Sequence, residues 1–155
     1  PGPRPVTEPT ADIAWQCTEY LLDLLGRCPA LADVRVDPGW PGDEQSPQML
    51  WVSDIDANDL DHPVMTGGRI PANENFEVRL QVGVFDQLTN AATQARLGEI
   101  LGAIDSTLRE APNLGAAIAG VKSALVTSKQ RTVANTPDGP QGYAEVVVRF
   151  ETRIT

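Results

Sequence analysis

The stretch Asn75 to Asp86, NFEVRLQVGVFD, decides the fold. Phe76, Val78, Leu80, Val82 and Val84 alternate with Glu77, Arg79, Gln81 and Gly83. Successive side chains of a strand point to opposite faces, so this segment sets one apolar face against a core and turns the other toward water. That division suits an antiparallel sheet covered on one side. Gly142 to Ile154 repeats the pattern. Ala144, Val146, Val148, Phe150 and Ile154 share one face; Tyr143, Glu145, Val147, Arg149, Glu151 and Arg153 share the other. Upstream, Ala124 to Ala134 carries the β-branched Val126, Thr127, Thr132 and Val133. Thr136-Pro137-Asp138-Gly139-Pro140 between them combines the residues that make tight turns, so the last two strands form a hairpin.

Two helices flank this sheet in sequence. Ile13, Cys17, Tyr20, Leu21, Leu24, Leu25 and Cys28 recur at three- and four-residue steps, which predicts an amphipathic helix over 11–28. Thr10 is placed to cap it, and Gly26 and Pro29 to stop it. Ala91, Gln94, Ala95, Leu97, Ile100, Leu101, Ile104 and Leu108 form a second stripe over 91–110, with Asn90 as cap and Pro112 beyond its end. Residues 32–37 and 49–55 read as short strands separated by a Pro-Gly loop, and 113–121 as a helical turn or packed loop. The polar segment 56–73 reads as a long loop, and residues 1–10, with four prolines, as an extended arm. The order helix, strands, helix, two strands predicts one α+β domain over 11–155. It has two layers: a mostly antiparallel sheet with both helices on one face.

Composition excludes several functions. The chain has 155 residues, 21 acidic against 12 basic, and a net charge of -9, with no basic cluster of the kind a nucleic-acid binder concentrates. No apolar run approaches the ~18–20 residues that span a bilayer, and Pro1 to Thr10 lacks the pattern of a signal peptide. Two cysteines and one histidine cannot supply a four-ligand Cys or Cys/His zinc site. On a continuous helix Cys17 and Cys28 would stand ~16 Å apart, too far for a disulfide, so both are expected as partly buried thiols.

The richest polar cluster is Asp54-Ile55-Asp56-Ala57-Asn58-Asp59-Leu60-Asp61-His62. Asp54, Asp56 and Asn58 match the first three ligand positions of a calcium loop. The sixth position is then Asp59 where Gly is required, and the twelfth is Met65 where a bidentate Glu is required. His62 has no motif-marked nucleophile, and no phosphate-cradling glycine loop occurs. Trp15 and Trp51 fall within regular elements and are expected to pack in the core or at an interface. Trp40, in the Pro-Gly loop, is the aromatic expected to meet a partner. The arm and the 56–73 segment carry isolated apolar residues, Val6, Leu60, Val64, Met65 and Ile70. These, with Trp40 and Arg149 on the polar sheet face, are the candidate contacts between subunits. The chemical alternative is a small metal- or ligand-binding domain using the acidic 54–62 loop.

The order of elements resembles the tail terminator, or tail completion, proteins of long-tailed bacteriophages, particularly those of actinobacteria. The resemblance rests on the helix ending Leu24-Leu25-Gly26, on Val34-Arg35-Val36-Asp37-Pro38-Gly39, and on Phe76-Glu77-Val78-Arg79-Leu80. It extends through Arg96-Leu97-Gly98-Glu99-Ile100-Leu101 to the closing Ala144 to Glu151 strand. It implies a non-enzymatic subunit without cofactors that forms a hexameric ring at the head-proximal end of the tail, assembled in the host cytoplasm. The implied partners are further copies of itself, the tail tube protein and the head-to-tail connector, with DNA only passing through. A head-to-tail adaptor or a tail tube subunit is the nearest alternative.

Overall fold

The computed structural model describes residues 13–42, 46–61 and 72–154. Five strands, β1 (Arg35–Asp37), β2 (Gln48–Asp61), β3 (Ala72–Val84), β4 (Val121–Thr136) and β5 (Gly139–Ile154), form one sheet in the order β1-β2-β3-β5-β4. β1 runs parallel to β2, and every other pairing is antiparallel. Helices α1 (Ile13–Gly26) and α2 (Asn90–Glu110) share one core with a single sheet face. The protein is therefore the two-layer α+β fold that the alternation in β3 and β5 predicts.

The apolar faces read from sequence are the buried ones. Phe76, Val78, Leu80, Val82 and Val84 of β3 meet Phe150, Val148, Val146, Ala144 and Gly142 of β5 in direct register. All nine of the apolar side chains in that register are buried. Leu97, Ile100, Leu101, Ile104 and Leu108 of α2, and Cys17, Leu21 and Leu25 of α1, close over them. α2 comes close to the sheet at Gly142: an added Cβ would lie 2.5 Å from Thr93 Cγ2 and 2.9 Å from Leu97 Cδ1.

Several boundaries differ from the sequence reading. α2 is capped by Thr89, not Asn90: the Thr89 Oγ1 accepts the Ala92 N–H at 3.0 Å. Its first turn buries Thr93 and exposes Ala91, Gln94 and Ala95, because the Thr93 hydroxyl satisfies itself on the Thr89 carbonyl at 2.8 Å. Replacing Thr89 by Ala orphans the Ala92 amide and is expected to cost about 0.5–2 kcal/mol in urea unfolding. Cys28 lies outside α1 in extended backbone (φ -71, ψ 122) before a 3-10 turn at Pro29–Leu31. Cys17 is buried and Cys28 partly buried, both as free thiols.

The largest difference lies in the acidic segment. β2 does not stop at Ile55 but continues to Asp61, and β3 begins at Ala72, so much of the expected 56–73 loop is strand. Asp56 stands opposite Glu77, and Asp59, Leu60 and Asp61 stand opposite Asn75, Glu74 and Asn73. Two register shifts, between Val52 and Asp54 and between Asp56 and Asp59, break the period-2 pattern. A bulge moves side chains to the other face, which is why the sequence reads there as an irregular acidic loop. The final hairpin is also longer than the alternation suggested. It reaches from Val121 to Ile154 around a turn at Pro137-Asp138, where Gly139 adopts φ 108 and Thr136 Oγ1 donates to the Gly139 carbonyl at 2.8 Å.

Candidate functional site

The helices occupy one sheet face, so the surfaces left for recognition are the opposite face and the two sheet edges. On the outer face, residues align across the strands in rows set by register. One row runs Asp54, Arg79, Val147, Ser128, and the next Trp51, Gln81, Glu145, Gln130. Arg79 Nη1 bonds Glu145 Oε1 at 3.2 Å, and Gln81 Nε2 donates to Glu145 Oε2 at 2.9 Å and to Ser53 Oγ at 3.3 Å. These groups satisfy one another across three strands. Val147, though on the polar face, is only 5% exposed.

At one end this face turns aromatic. Trp40 packs edge-on against Trp51 with ring centroids 4.9 Å apart. Phe85 folds back over Gly83, where an added Cβ would lie 2.6 Å from its ring, and meets Tyr143 edge-on at 5.4 Å. A strand glycine leaves backbone uncovered, and a neighbouring ring commonly shields it. Trp40 at 55% and Tyr143 at 44% exposure are the accessible parts of this patch.

A polar knot fastens the same end to α2. Gln48 is only 7% exposed. Its Nε2 donates to both Asp86 carboxylate oxygens at 3.1 Å, and its Oε1 accepts from Arg96 Nε at 2.7 Å. Arg96 also reaches Glu99 at 3.0 Å and the Ala30 carbonyl at 3.4 Å. Buried polar groups must be satisfied, and this network satisfies them while tying β2, α2 and the turn at Pro29–Leu31 together. Its role is to hold the frame rigid.

The edges differ in character. β4 ends the sheet on one side and spans 16 residues. No strand among the described residues meets its outer edge, where the Ala124 N–H donates to the Pro112 carbonyl at 2.6 Å. Beside it, Leu108, Pro112, Ala124 and Val126 line a cavity of about 420 Å³ rimmed by Asp105 and Arg109. Leu125, at the same place, is 47% exposed. On the other side β1 covers β2 only at Met49 to Trp51. From Val52 to Asp61 the outer edge of β2 meets no strand among the described residues.

Of the candidate contact residues, Trp40 stands exposed as expected, but braced on Trp51. Arg149 sits opposite Glu77 on the outer face, half-buried and engaged, so it is not the free charge that the alternation implied. Val6, Val64, Met65 and Ile70 lie outside the described residues, as does the side chain of Leu60, whose backbone belongs to β2. Trp15, at 38% exposure, lies outside the core, whereas Trp51 is buried. His62 lies outside the described residues; among those described, no group of three His, Cys, Asp or Glu converges as a metal site. The edges themselves were missed. Which strands end the sheet depends on pairings between distant segments, which alternation along a single strand does not report.

The fold thus defines a two-layer α+β class whose outer sheet face is covered by no helix among the described residues and whose two edges are unequal. No protein-family model matches the chain, and no curated protein matches it in sequence. Among solved structures, it is similar to a chain from the virion of a native gene transfer agent (GTA) particle, at TM-score 0.51 and 14% identity. The likeness covers 90% of this chain and 91% of that one, so the two share their fold over nearly their whole lengths.

Proposed function

We propose that this chain is a structural virion protein that closes into a ring and ends a phage tail tube. The observation that carries the reading is the end-to-end fold likeness to a virion chain of a gene transfer agent particle. The sequence resemblance to tail terminators adds the particular role: a hexameric ring seated on the last ring of the tube and presented to the head connector. The bare surfaces support it. A closed ring is built from heterologous contacts, each subunit offering two different patches. A sheet with two unequal edges has that asymmetry. The reading asks for no enzymatic step and no cofactor, and it places the protein at the head-proximal end of the tail.

Two experiments test it. Negative-stain images of the purified protein at high concentration should show single rings. Filaments would make it a tube subunit. Phage unable to make the protein should produce tails of abnormal length that fail to join heads. Tails of normal length attached to heads would exclude the role.

A further inference from the structure

The cavity beside β4 lies at the end of the sheet where α1 begins. Leu108, Pro112, Ala124 and Val126 line it with apolar surface, and Ser123 stands on the same wall. An added Cβ on Gly120 would lie 3.9 Å from Ile13 Cδ1, so the first residue of α1 sits beside the start of β4. Ser123 and Ala124 follow Gly120 by three and four residues, roughly 10–13 Å along the strand. At the rim, Asp105 lies 3.2 Å from Arg109 and 3.6 Å from Lys129, so one carboxylate serves two cations. Residues 1–12, PGPRPVTEPTAD, lead into Ile13. Val6 is their only branched aliphatic side chain, and Glu8 follows two places later.

We propose that this segment folds back on its own subunit, seating Val6 in the cavity between α2 and β4 and bringing Glu8 to Arg109 and Lys129. Tether length selects this occupant. A flexible chain of the length that joins Val6 to Ile13 spans about 13–16 Å r.m.s., and about 25 Å at full stretch. The distance from Ile13 to the cavity wall matches the first figure. A tethered group reaches its highest effective concentration, in the mM range for a short linker, when span and r.m.s. length agree. The same segment of another copy has no such advantage. Chemistry agrees with reach. Val6 takes its methyl groups out of water and covers those of Leu108 and Val126. Pro5 and Pro9 carry no backbone N–H, so laying the segment against an apolar wall leaves fewer donors to satisfy. Glu8 brings a second carboxylate to two cations and so fixes the register of the docked segment more than its affinity. Val6 then serves its own subunit and not a neighbour.

This inference goes beyond the ring reading and does not depend on it, because it is read in single subunits. Methyl NMR of the full chain in dilute solution should show contacts from the Val6 methyl groups to those of Leu108, Ala124 or Val126. Val6→Ser should abolish these contacts and shift the Leu108, Ala124 and Val126 methyl signals, while Leu21 and Leu25 of α1 stay unmoved. Val6→Ile should keep the contacts. Arg109→Glu, a change at an exposed side chain, should weaken them at least roughly twofold. Val6 methyl groups at random-coil positions, contacts to other parts of the fold, or cavity signals unmoved by Val6→Ser would each overturn the docking. So would contacts found only between differently labelled copies mixed together, which would make the segment an exchange between subunits. Contacts unchanged in Arg109→Glu would overturn the pairing of Glu8 with the rim.

Discussion

Phe150→Ala should lower the unfolding free energy by about 3–5 kcal/mol, the range for truncating a buried aromatic ring. Phe150 is fully buried and faces Phe76 across the β3–β5 pair; the rings lie 4.9 Å apart and nearly parallel, at 14°. Deleting one ring removes its transfer free energy, opens a cavity and strips the other ring of its stacking partner. On its other side Phe150 is paired with Ala124, whose short side chain cannot fill the space. Small domains are stable by only about 5–15 kcal/mol, so this variant is expected to lie near the edge of folding at 37 °C. Phe150→Leu keeps most of the volume and should cost much less. The check is the urea midpoint at constant slope, and a loss below about 1 kcal/mol would mean that the ring is not at the centre of the core.

Gly120→Ala should be nearly as damaging, for a reason that has nothing to do with apolar area. Gly120 adopts φ 91, a left-handed conformation open to glycine and strained for side chains. An added Cβ would lie 2.6 Å from the Arg153 carbonyl oxygen, which is backbone and cannot rotate away. The Gly120 carbonyl also accepts the Arg153 N–H at 2.8 Å, so relieving the clash pulls on the bond that anchors the end of β5. The expected cost is about 2–4 kcal/mol, combining strain with a displaced strand end. Gly102→Ala is the contrasting control. It lies inside α2 with nothing within 4 Å of its would-be Cβ, and should gain up to about 1 kcal/mol from helix propensity. Similar losses at both glycines would show that the Gly120 conformation is not required.

What the sequence disclosed depended on how local the signal was. β3 and β5 alternate without a break, and the straightness of their mutual register in the fold explains that clarity. The stripe of α2 from Leu97 to Leu108 was equally plain, whereas its first turn misled because a threonine, not an alanine, turns inward. β2 was cut short in the reading because two register shifts scramble its period and aspartates fill it. Neither the parallel placing of β1 nor the insertion of β5 between β3 and β4 is written in any single segment; both are pairings between distant parts of the chain. The candidate contact residues were legible only in fragments. Trp40 announced itself by its loop, but which strands end up at the margins is not written in any one of them.

The position of β5 also sets the time course of folding. Its hairpin with β4 is local, but its partner on the other side is β3, and Gln81 and Glu145, which bond across that pair, are 64 positions apart in sequence. Contacts this distant must pay the entropy of closing a long loop before they return any stabilisation, and chains dominated by them fold slowly. The β4–β5 and β2–β3 hairpins can each form early, each with an apolar face and a bare strand, and they wait for α2 to bring them together. During that interval β5 of one molecule can register on β3 of another, giving an exchanged dimer whose hairpins are native but belong to the wrong chain. High expression and rapid dilution from denaturant should favour this product, whereas slow refolding at low concentration should suppress it.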